Sequence, residues 1–182
     1  MTGFPPPLDD DAADHLTQGS ALPPVSLPTT DGQDLCLATL PGLSVVAVYP
    51  WTGRPGQPNP PDWDLIPGAH GSTPELEGFR DLSERFAQRG MHVFGLSRQS
   101  TDYQHELAGR LRLPFPLLSD AKGQFAGALR LPTFATGGDI YLKRLTLIVA
   151  DGGIVQVFYP VPDPVGHPAD VLAWIEGQGG GR

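Results

Sequence analysis

Cysteine is almost absent from this chain, which has a single one, Cys36, among 182 residues. One thiol cannot form an intramolecular disulfide or a cysteine metal cage, so a disulfide scaffold and a cysteine zinc domain are excluded. The histidines lack metal-ligand spacing, and we expect neither a metal site nor a cofactor. We expect Cys36 to be a passive, half-buried thiol, because its close charged neighbours in sequence are the acidic Asp31 and Asp34.

Long apolar runs and basic residues are also scarce. No stretch approaches the roughly 20 consecutive apolar residues that cross a bilayer, so we expect no membrane partner. The start, MTGFPPPLDDDAADH, has neither the basic end nor the apolar run of a signal peptide, which favours the cytoplasm. Twelve basic against twenty acidic residues give a net charge of -8. That charge repels polyanions, so nucleic acid is not an expected partner.

The remaining composition suits one domain with one sizeable core, since 40% of the residues are hydrophobic. Residues 1–21 are rich in proline and acidic side chains, and we expect a flexible arm that is too polar to contribute to the core. Residues 22–176 carry the folded domain. Residues 177–182 form a glycine-rich tail.

Periodicity and turn signals place the elements of that domain. A DG turn predicts a hairpin of Val25 to Leu27 with Leu35 to Leu37. Four segments are typical of sheet strands or strand pairs: GLSVVAVYP, MHVFGLS, FPLLSD and RLTLIVADGGIVQVFYP. Helices are predicted from Glu75 to Arg89, from Ser100 or Thr101 through HELAGRLRL, from about Lys122 to Leu129, and in PADVLAWIEG. A Pro- and Gly-rich loop, 51–71, separates the first strand from the first helix and carries Trp51 and Trp63.

The order is hairpin, strand, helix, strand, helix, strand, helix, hairpin, helix. It predicts an α/β fold with a mixed sheet flanked by helices on both faces and an N-terminal hairpin in front. This is the thioredoxin-like order of elements.

Several segments together resemble the peroxiredoxins, and within them the peroxiredoxin Q or bacterioferritin comigratory protein branch of the AhpC/TSA redoxins. They are VVAVYP, a Gly-Pro loop, GFRDL on a helix, MHVFGLSRQSTDYQHELAGRLRLPFPLLSD and KRLTLIVADG, and the similarity runs from about Leu22 to Ile175. The resemblance implies an antioxidant thiol peroxidase that serves cell redox homeostasis. In such enzymes a cysteine in the first turn of the GFRD helix attacks the peroxide as a thiolate and becomes a sulfenic acid. A second cysteine, five residues on, then forms a disulfide with it.

Neither cysteine position of that family is a cysteine here. The peroxidatic position is Ser72 and the resolving position is Glu77, while the arginine expected from the family is retained as Arg144. A serine hydroxyl cannot enter the sulfur oxidation ladder. The family's threonine, three residues before the cysteine, is replaced by Ala69, and Thr52 is a candidate to take its place in space.

Three interpretations of Ser72 stay open. The residues STPE fit a capping box, in which Ser72 is the N-cap and Glu75 reaches back to it. The helix N-terminus together with Arg144 would also suit a peroxide or a small anion. A serine nucleophile is the least favoured, because there is no G-x-S-x-G turn, although His70, His92, His105 and His167 offer bases.

The functional hypothesis is therefore a peroxiredoxin-like protein with little thiol peroxidase activity, a pseudo-peroxiredoxin. One alternative is a chaperone-like or interaction protein on the same fold, with a protein client or redox partner. Another is a Cys-to-Ser form of an active enzyme. We favour natural divergence because both cysteine positions are altered and the second is Glu. Monomer and homodimer are equally compatible with the sequence.

Overall fold

The computed structural model describes residues 3–179. Its strands are β1 (Ser26–Pro28), β2 (Asp34–Cys36), β3 (Leu43–Val48), β4 (Met91–Ser97), β5 (Leu117–Ser119), β6 (Thr133–Thr136), β7 (Asp139–Leu142), β8 (Leu145–Ala150) and β9 (Gly153–Phe158). Its helices are α1 (Ser72–Asp81), α2 (Ser83–Gln88), α3 (Thr101–Leu111), α4 (Gln124–Leu129) and α5 (His167–Gln178). A short 3-10 turn covers Trp63–Leu65 within the long loop.

A five-stranded mixed sheet in the order β5-β4-β3-β8-β9 forms the centre of the domain. β3, β4 and β5 run parallel to one another, and β8 lies antiparallel to both β3 and β9. All residues of β3 after Leu43 are buried, as its continuous apolar run predicted for a strand covered on both faces. The thioredoxin-like α/β prediction is confirmed.

Two apolar clusters, one on each face, hold the helices against the sheet. α1, α2, α3 and α5 pack on one face through Phe79, Phe86, Leu107 and Val171, all of them fully buried. On the other face lie α4 and the β1–β2 hairpin. That hairpin was predicted, and Ser26 pairs with Cys36 across it.

The N-terminal segment joins this second cluster. Ala13 and Leu16 are buried in the core, and the Leu22 backbone N–H donates to the Gly152 carbonyl over 2.9 Å. The expectation that residues 1–21 are too polar to contribute to the core is therefore wrong, because Ala13 and Leu16 are two apolar side chains of this segment that are buried in the cluster. At the other end α5 extends through Gln178, so residues 177–178 are helical, and residues 180–182 of the predicted tail lie outside the described residues.

Two local predictions need correction. The helix expected from Glu75 to Arg89 is two helices, because Leu82 leaves the helical conformation at φ -101° and ψ 4°. The β6–β7 hairpin was not predicted, although Gly137 and Gly138, both at positive φ, supply its turn. Within residues 3–179, no helix is both long and apolar enough to cross a membrane.

Candidate active site around Ser72

Ser72 is the first residue of α1 and is only 3% exposed. The N-cap is Gly71, at φ 111°, and no side chain caps this helix end. The capping-box prediction is wrong because the chain enters the helix through a left-handed residue. Glycine is required there for a second reason: a Cβ on Gly71 would lie 2.7 Å from Cγ of Pro164. The Ser72 hydroxyl is thus available to another partner.

That partner is Arg144, which immediately precedes β8 and is 4% exposed. Its Nη2 donates to Ser72 Oγ at 3.2 Å and to the backbone oxygens of Ala69 at 3.3 Å and His70 at 3.1 Å. Its Nη1 donates to Glu75 Oε1 at 3.1 Å. Arg144 is therefore not a surface cation, because it joins the end of the long loop to the first turn of α1.

Glu75 completes this buried group one helical turn after Ser72. Burial raises the pKa of its carboxyl to about 7, although the charge and hydrogen bond of Arg144 oppose that shift. Within the described chain, Glu75 Oε2 and Arg144 Nε are buried without a hydrogen-bond partner. The Arg144 guanidinium therefore lies beside the Ser72 hydroxyl at the positive end of α1.

His167, the first residue of α5, lies close enough to Arg144 to feel its charge. Its Nε2 and the Thr146 hydroxyl share a hydrogen bond of 2.8 Å, and the rings of Phe79 and Phe158 meet it edge-on at 6.2 and 5.6 Å between centroids. Burial lowers the pKa of His167 to about 4. The imidazole is therefore neutral near pH 7, and the positive charge of the cluster belongs to Arg144.

Residues of the long loop, 51–71, line the cavity beside Ser72. Ser72 borders a cavity of about 210 Å³, which Trp51, Trp63 and His70 also line. The two indoles meet edge to face at 5.5 Å, and Trp63 packs against Tyr141 of the β6–β7 hairpin at 5.2 Å. The tryptophans therefore both anchor the loop and line the cavity.

The N-terminal segment braces the same loop from outside. The ring of Phe4 stacks on His70 at 3.5 Å, and the Gly68 backbone N–H donates to the Pro5 carbonyl at 3.0 Å. The Asp10 carboxylate pairs with Lys143 Nζ at 2.6 Å. The residues that lead into α1 thus contact Arg144 on their buried side and the N-terminal segment on their exposed side.

Other predicted residues do not join the site. Glu77 lies on the half-exposed face of α1, pairs with Arg80 at 3.6 Å and is not among the residues that line the cavity. Thr52 Oγ1 donates to Gln99 Oε1 at 3.0 Å, and Thr52 is not among the residues that line the Ser72 cavity. Cys36 is a half-buried free thiol on β2.

The surroundings of Ser72 include His70, which lines the same cavity, and Glu75, which lies one helical turn away. The ring of His70 binds Asp64 at 2.7 Å, and no histidine ring of residues 3–179 forms a hydrogen bond with Ser72. In the same part of the chain, no three His, Cys, Asp or Glu side chains come together as a metal site. Within residues 3–179, the arrangement therefore holds no hydrogen-bonded pair of Ser72 and a histidine.

Sequence reasoning missed Glu75 as a member of the site. Its position three residues after Ser72 was the available signal, and it was interpreted as a capping box. That the side chain of Glu75 is fully buried and pairs with Arg144 is seen only in the folded structure.

Comparisons with known proteins agree with the fold. The Redoxin family model matches residues 17–173. A Coxiella burnetii protein that carries the bcp peroxiredoxin name is 28% identical over 161 residues, which cover 85% of this chain and 95% of that protein. The chloroplastic peroxiredoxin Q of Sedum lineare is 29% identical over 145 residues, which cover 79% of this chain and 69% of that protein.

Two solved structures have the same architecture. BcpB from Mycobacterium tuberculosis superposes with a TM-score of 0.72 at 25% identity, over 90% of this chain and 98% of that one. A cysteine-to-serine mutant of Xylella fastidiosa PrxQ superposes with a TM-score of 0.74 at 22% identity, over 91% of this chain and 98% of that one. The chain therefore belongs to the Redoxin family and is similar within it to the peroxiredoxin Q and bacterioferritin comigratory proteins.

Proposed function

We propose that this chain is a pseudo-peroxiredoxin, which keeps the electrostatic pocket of the family but has little or no thiol peroxidase activity. The observation that carries the proposal is the hydrogen bond from Arg144 to the Ser72 hydroxyl, 3.2 Å long and buried at the start of α1. The arginine and the helix N-terminus that would lower the pKa of a thiol there act on an oxygen instead.

The chemistry explains why the replacement matters. A thiolate attacks one peroxide oxygen, the O–O bond breaks, hydroxide leaves and takes up a proton, and the sulfur becomes a sulfenic acid. The serine oxygen has no corresponding oxidation. Because Cys36 is the chain's single cysteine, an oxidised thiol would also lack a resolving partner within the chain.

A set of variants with at most one thiol each tests the proposal. The proteins are the unaltered chain, Cys36→Ser, and the double variant Ser72→Cys with Cys36→Ser. Hydrogen peroxide loss is followed in excess dithiothreitol, which reduces the sulfenic acid and sustains turnover. We expect Cys36→Ser to be inactive, and the double variant to exceed the unaltered chain by about tenfold or more, because its thiol faces Arg144.

Each outcome decides between interpretations. Peroxide loss that persists in Cys36→Ser would contradict the pseudo-peroxiredoxin, because the chain would then consume peroxide without any cysteine. If the unaltered chain consumes peroxide and Cys36→Ser does not, the activity belongs to the Cys36 thiol, outside the Ser72 site. An inactive double variant would show that the pocket no longer supports the family's chemistry, and the non-enzymatic interaction hypothesis would then be favoured.

The Cys-to-Ser form of an active enzyme makes a different prediction. If the chain is such a form, restoring a cysteine at position 72 should give a rapid peroxidase. If the pocket has diverged, the increase in peroxidase rate should be limited to the effect of Arg144 on the new thiol. A peroxide or small anion at Ser72, a protein client, a monomeric or dimeric state and the cytoplasmic location stay predictions.

A further inference from the structure

A second cavity, of about 310 Å³, lies on the other side of Trp51 from the Ser72 cavity. It opens where the parallel strands β3, β4 and β5 end, and the start of β7 closes one side. Crevices beyond the carboxyl ends of parallel strands are where α/β sheets bind ligands. The lining residues used below are Trp51, Arg98, Tyr103, Asp139 and Tyr141.

Three aromatic side chains give this cavity fixed walls. The rings of Trp51 and Tyr103 lie 6.4 Å apart, and the Tyr103 hydroxyl donates to the Thr52 carbonyl at 2.7 Å. Tyr141 stacks on Phe134 at 5.5 Å. Because these rings are held by their own contacts, a planar ligand would not have to order them on binding.

Arg98 supplies a positive charge to the lining of the cavity. Within residues 3–179 its side chain forms no hydrogen bond or ion pair, whereas the neighbouring Arg54 and Arg110 both bind Glu106. Its guanidinium lies over Gly123, at φ 69°, where a Cβ would come within 3.0 Å of Nη1. The lack of a side chain at Gly123 therefore leaves space for the guanidinium, and glycine adds no charge that would neutralise it. Arg98 can bind a carboxylate in the forked geometry that arginine favours.

The β7 side of the cavity carries a negative charge, that of Asp139. Asp139 is exposed at the rim and lines the cavity together with Tyr141. Burial, and secondarily the charge of Asp139, raises the pKa of the Tyr141 hydroxyl, so this group remains protonated. A hydroxyl or amino group on the ligand could donate to the Asp139 carboxylate, whereas a ligand with only an acid group could not.

We propose that this cavity binds a small planar aromatic acid that also carries a hydrogen-bond donor, with its carboxylate at Arg98, its ring against Trp51 and Tyr141, and its donor at Asp139. The volume lies at the lower end of the range for small-molecule sites, which fits a single-ring ligand. The site is independent of the chemistry proposed at Ser72.

Four probes separate the parts of this recognition. 4-Hydroxybenzoate carries ring, acid and donor; benzoate lacks the donor; cyclohexanecarboxylate lacks the aromatic ring; and 4-hydroxybenzamide lacks the charge. Isothermal titration calorimetry measures their affinities for the full chain. We expect saturable 1:1 binding of 4-hydroxybenzoate and weaker binding of the other three.

Three variants locate the binding. Arg98→Gln should weaken 4-hydroxybenzoate by about tenfold or more, because charge-assisted hydrogen bonds are lost. Arg112→Gln removes the same charge from the exposed end of α3 and should change the affinity less than twofold. Asp139→Asn should reduce the preference for 4-hydroxybenzoate over benzoate.

The indole N–H resonances of the unaltered chain give a readout that does not depend on a variant's folding. That of Trp51 should shift on titration, while that of Trp174, which lies elsewhere on α5, should not. The proposal is overturned if no probe binds saturably, if both arginine variants weaken binding equally, or if the Trp51 resonance does not move.

Discussion

Two buried groups beside Arg144 should give this protein opposite pH dependences that nearly cancel. Glu75 has its pKa raised by burial from 4.5 to about 7, and His167 has its pKa lowered by burial from 6.5 to about 4. Folding therefore favours the protonated carboxyl and the neutral imidazole. Replacing either residue should reveal the pH dependence of the other.

The sign and size follow from proton linkage. The contribution of Glu75 to the free energy of unfolding is complete below pH 4.5 and is lost as the pH rises through 7. The contribution of His167 is complete above pH 6.5 and is lost as the pH falls through 4. Each difference in pKa corresponds to about 3 kcal/mol, and between pH 4.5 and 6.5 the two slopes oppose each other.

Urea unfolding of Glu75→Gln, His167→Asn and the unaltered chain from pH 4 to 7.5 tests this reasoning. The free energy of unfolding of Glu75→Gln, relative to the unaltered chain, should rise by about 3 kcal/mol between pH 4.5 and 7. That of His167→Asn should fall by about 3 kcal/mol between pH 4 and 6.5. Glu77→Gln, on the half-exposed face of α1, is the matched control and should show no such rise. A pH-independent difference for Glu75→Gln would refute the raised pKa and show that Arg144 keeps the carboxylate ionised.

Two further predictions concern stability. Arg144→Met and Glu75→Leu should each lower the free energy of unfolding by about 3–5 kcal/mol: Arg144→Met leaves the Glu75 carboxyl and the Ala69 carbonyl buried without their donor, and Glu75→Leu leaves the Arg144 guanidinium buried without its carboxyl partner. The double variant should lose less than the sum of the two by about 2 kcal/mol or more, and additive losses in a double-mutant cycle would rule out the buried pair. Gly152→Ala should cost about 2–4 kcal/mol, since its Cβ would lie 2.1 Å from the Ala38 carbonyl oxygen. Gly138→Ala, also at positive φ but with nothing within 4 Å of its Cβ, should cost about 1 kcal/mol; equal losses in thermal unfolding would contradict the close approach at Gly152.

Local pattern was sufficient for most of the architecture. The β-branched run of β3, the Ser100 cap of α3 and the DG turn between β1 and β2 each depend on residues a few positions apart, and the structure has all three elements. The Ser100 side chain accepts from the Tyr103 N–H as a cap should. By contrast, the β6–β7 hairpin contains only one buried residue, Leu142, so it provided little periodic signal.

The resemblance to peroxiredoxins placed Ser72 and Arg144 in one site, and the structure brings them to 3.2 Å. It also proposed Glu77, which is half-exposed, pairs with Arg80 and is not among the residues that line the Ser72 cavity. Spacing along a helix fixes which face a residue occupies only once the packing of that helix is known.

The order of residues was enough to predict the α/β fold and to show that Ser72 and Glu77 stand at the two positions that the resemblance assigns to cysteines. The contacts that Ser72 makes at this position could be seen only in the folded chain. Gly71 takes over the cap that was predicted for Ser72, and Glu75 pairs with Arg144, far away in the chain. Burial and pairing arise from contacts between segments distant in sequence, and those contacts exist only after the sheet has brought the start of β8 beside the first turn of α1.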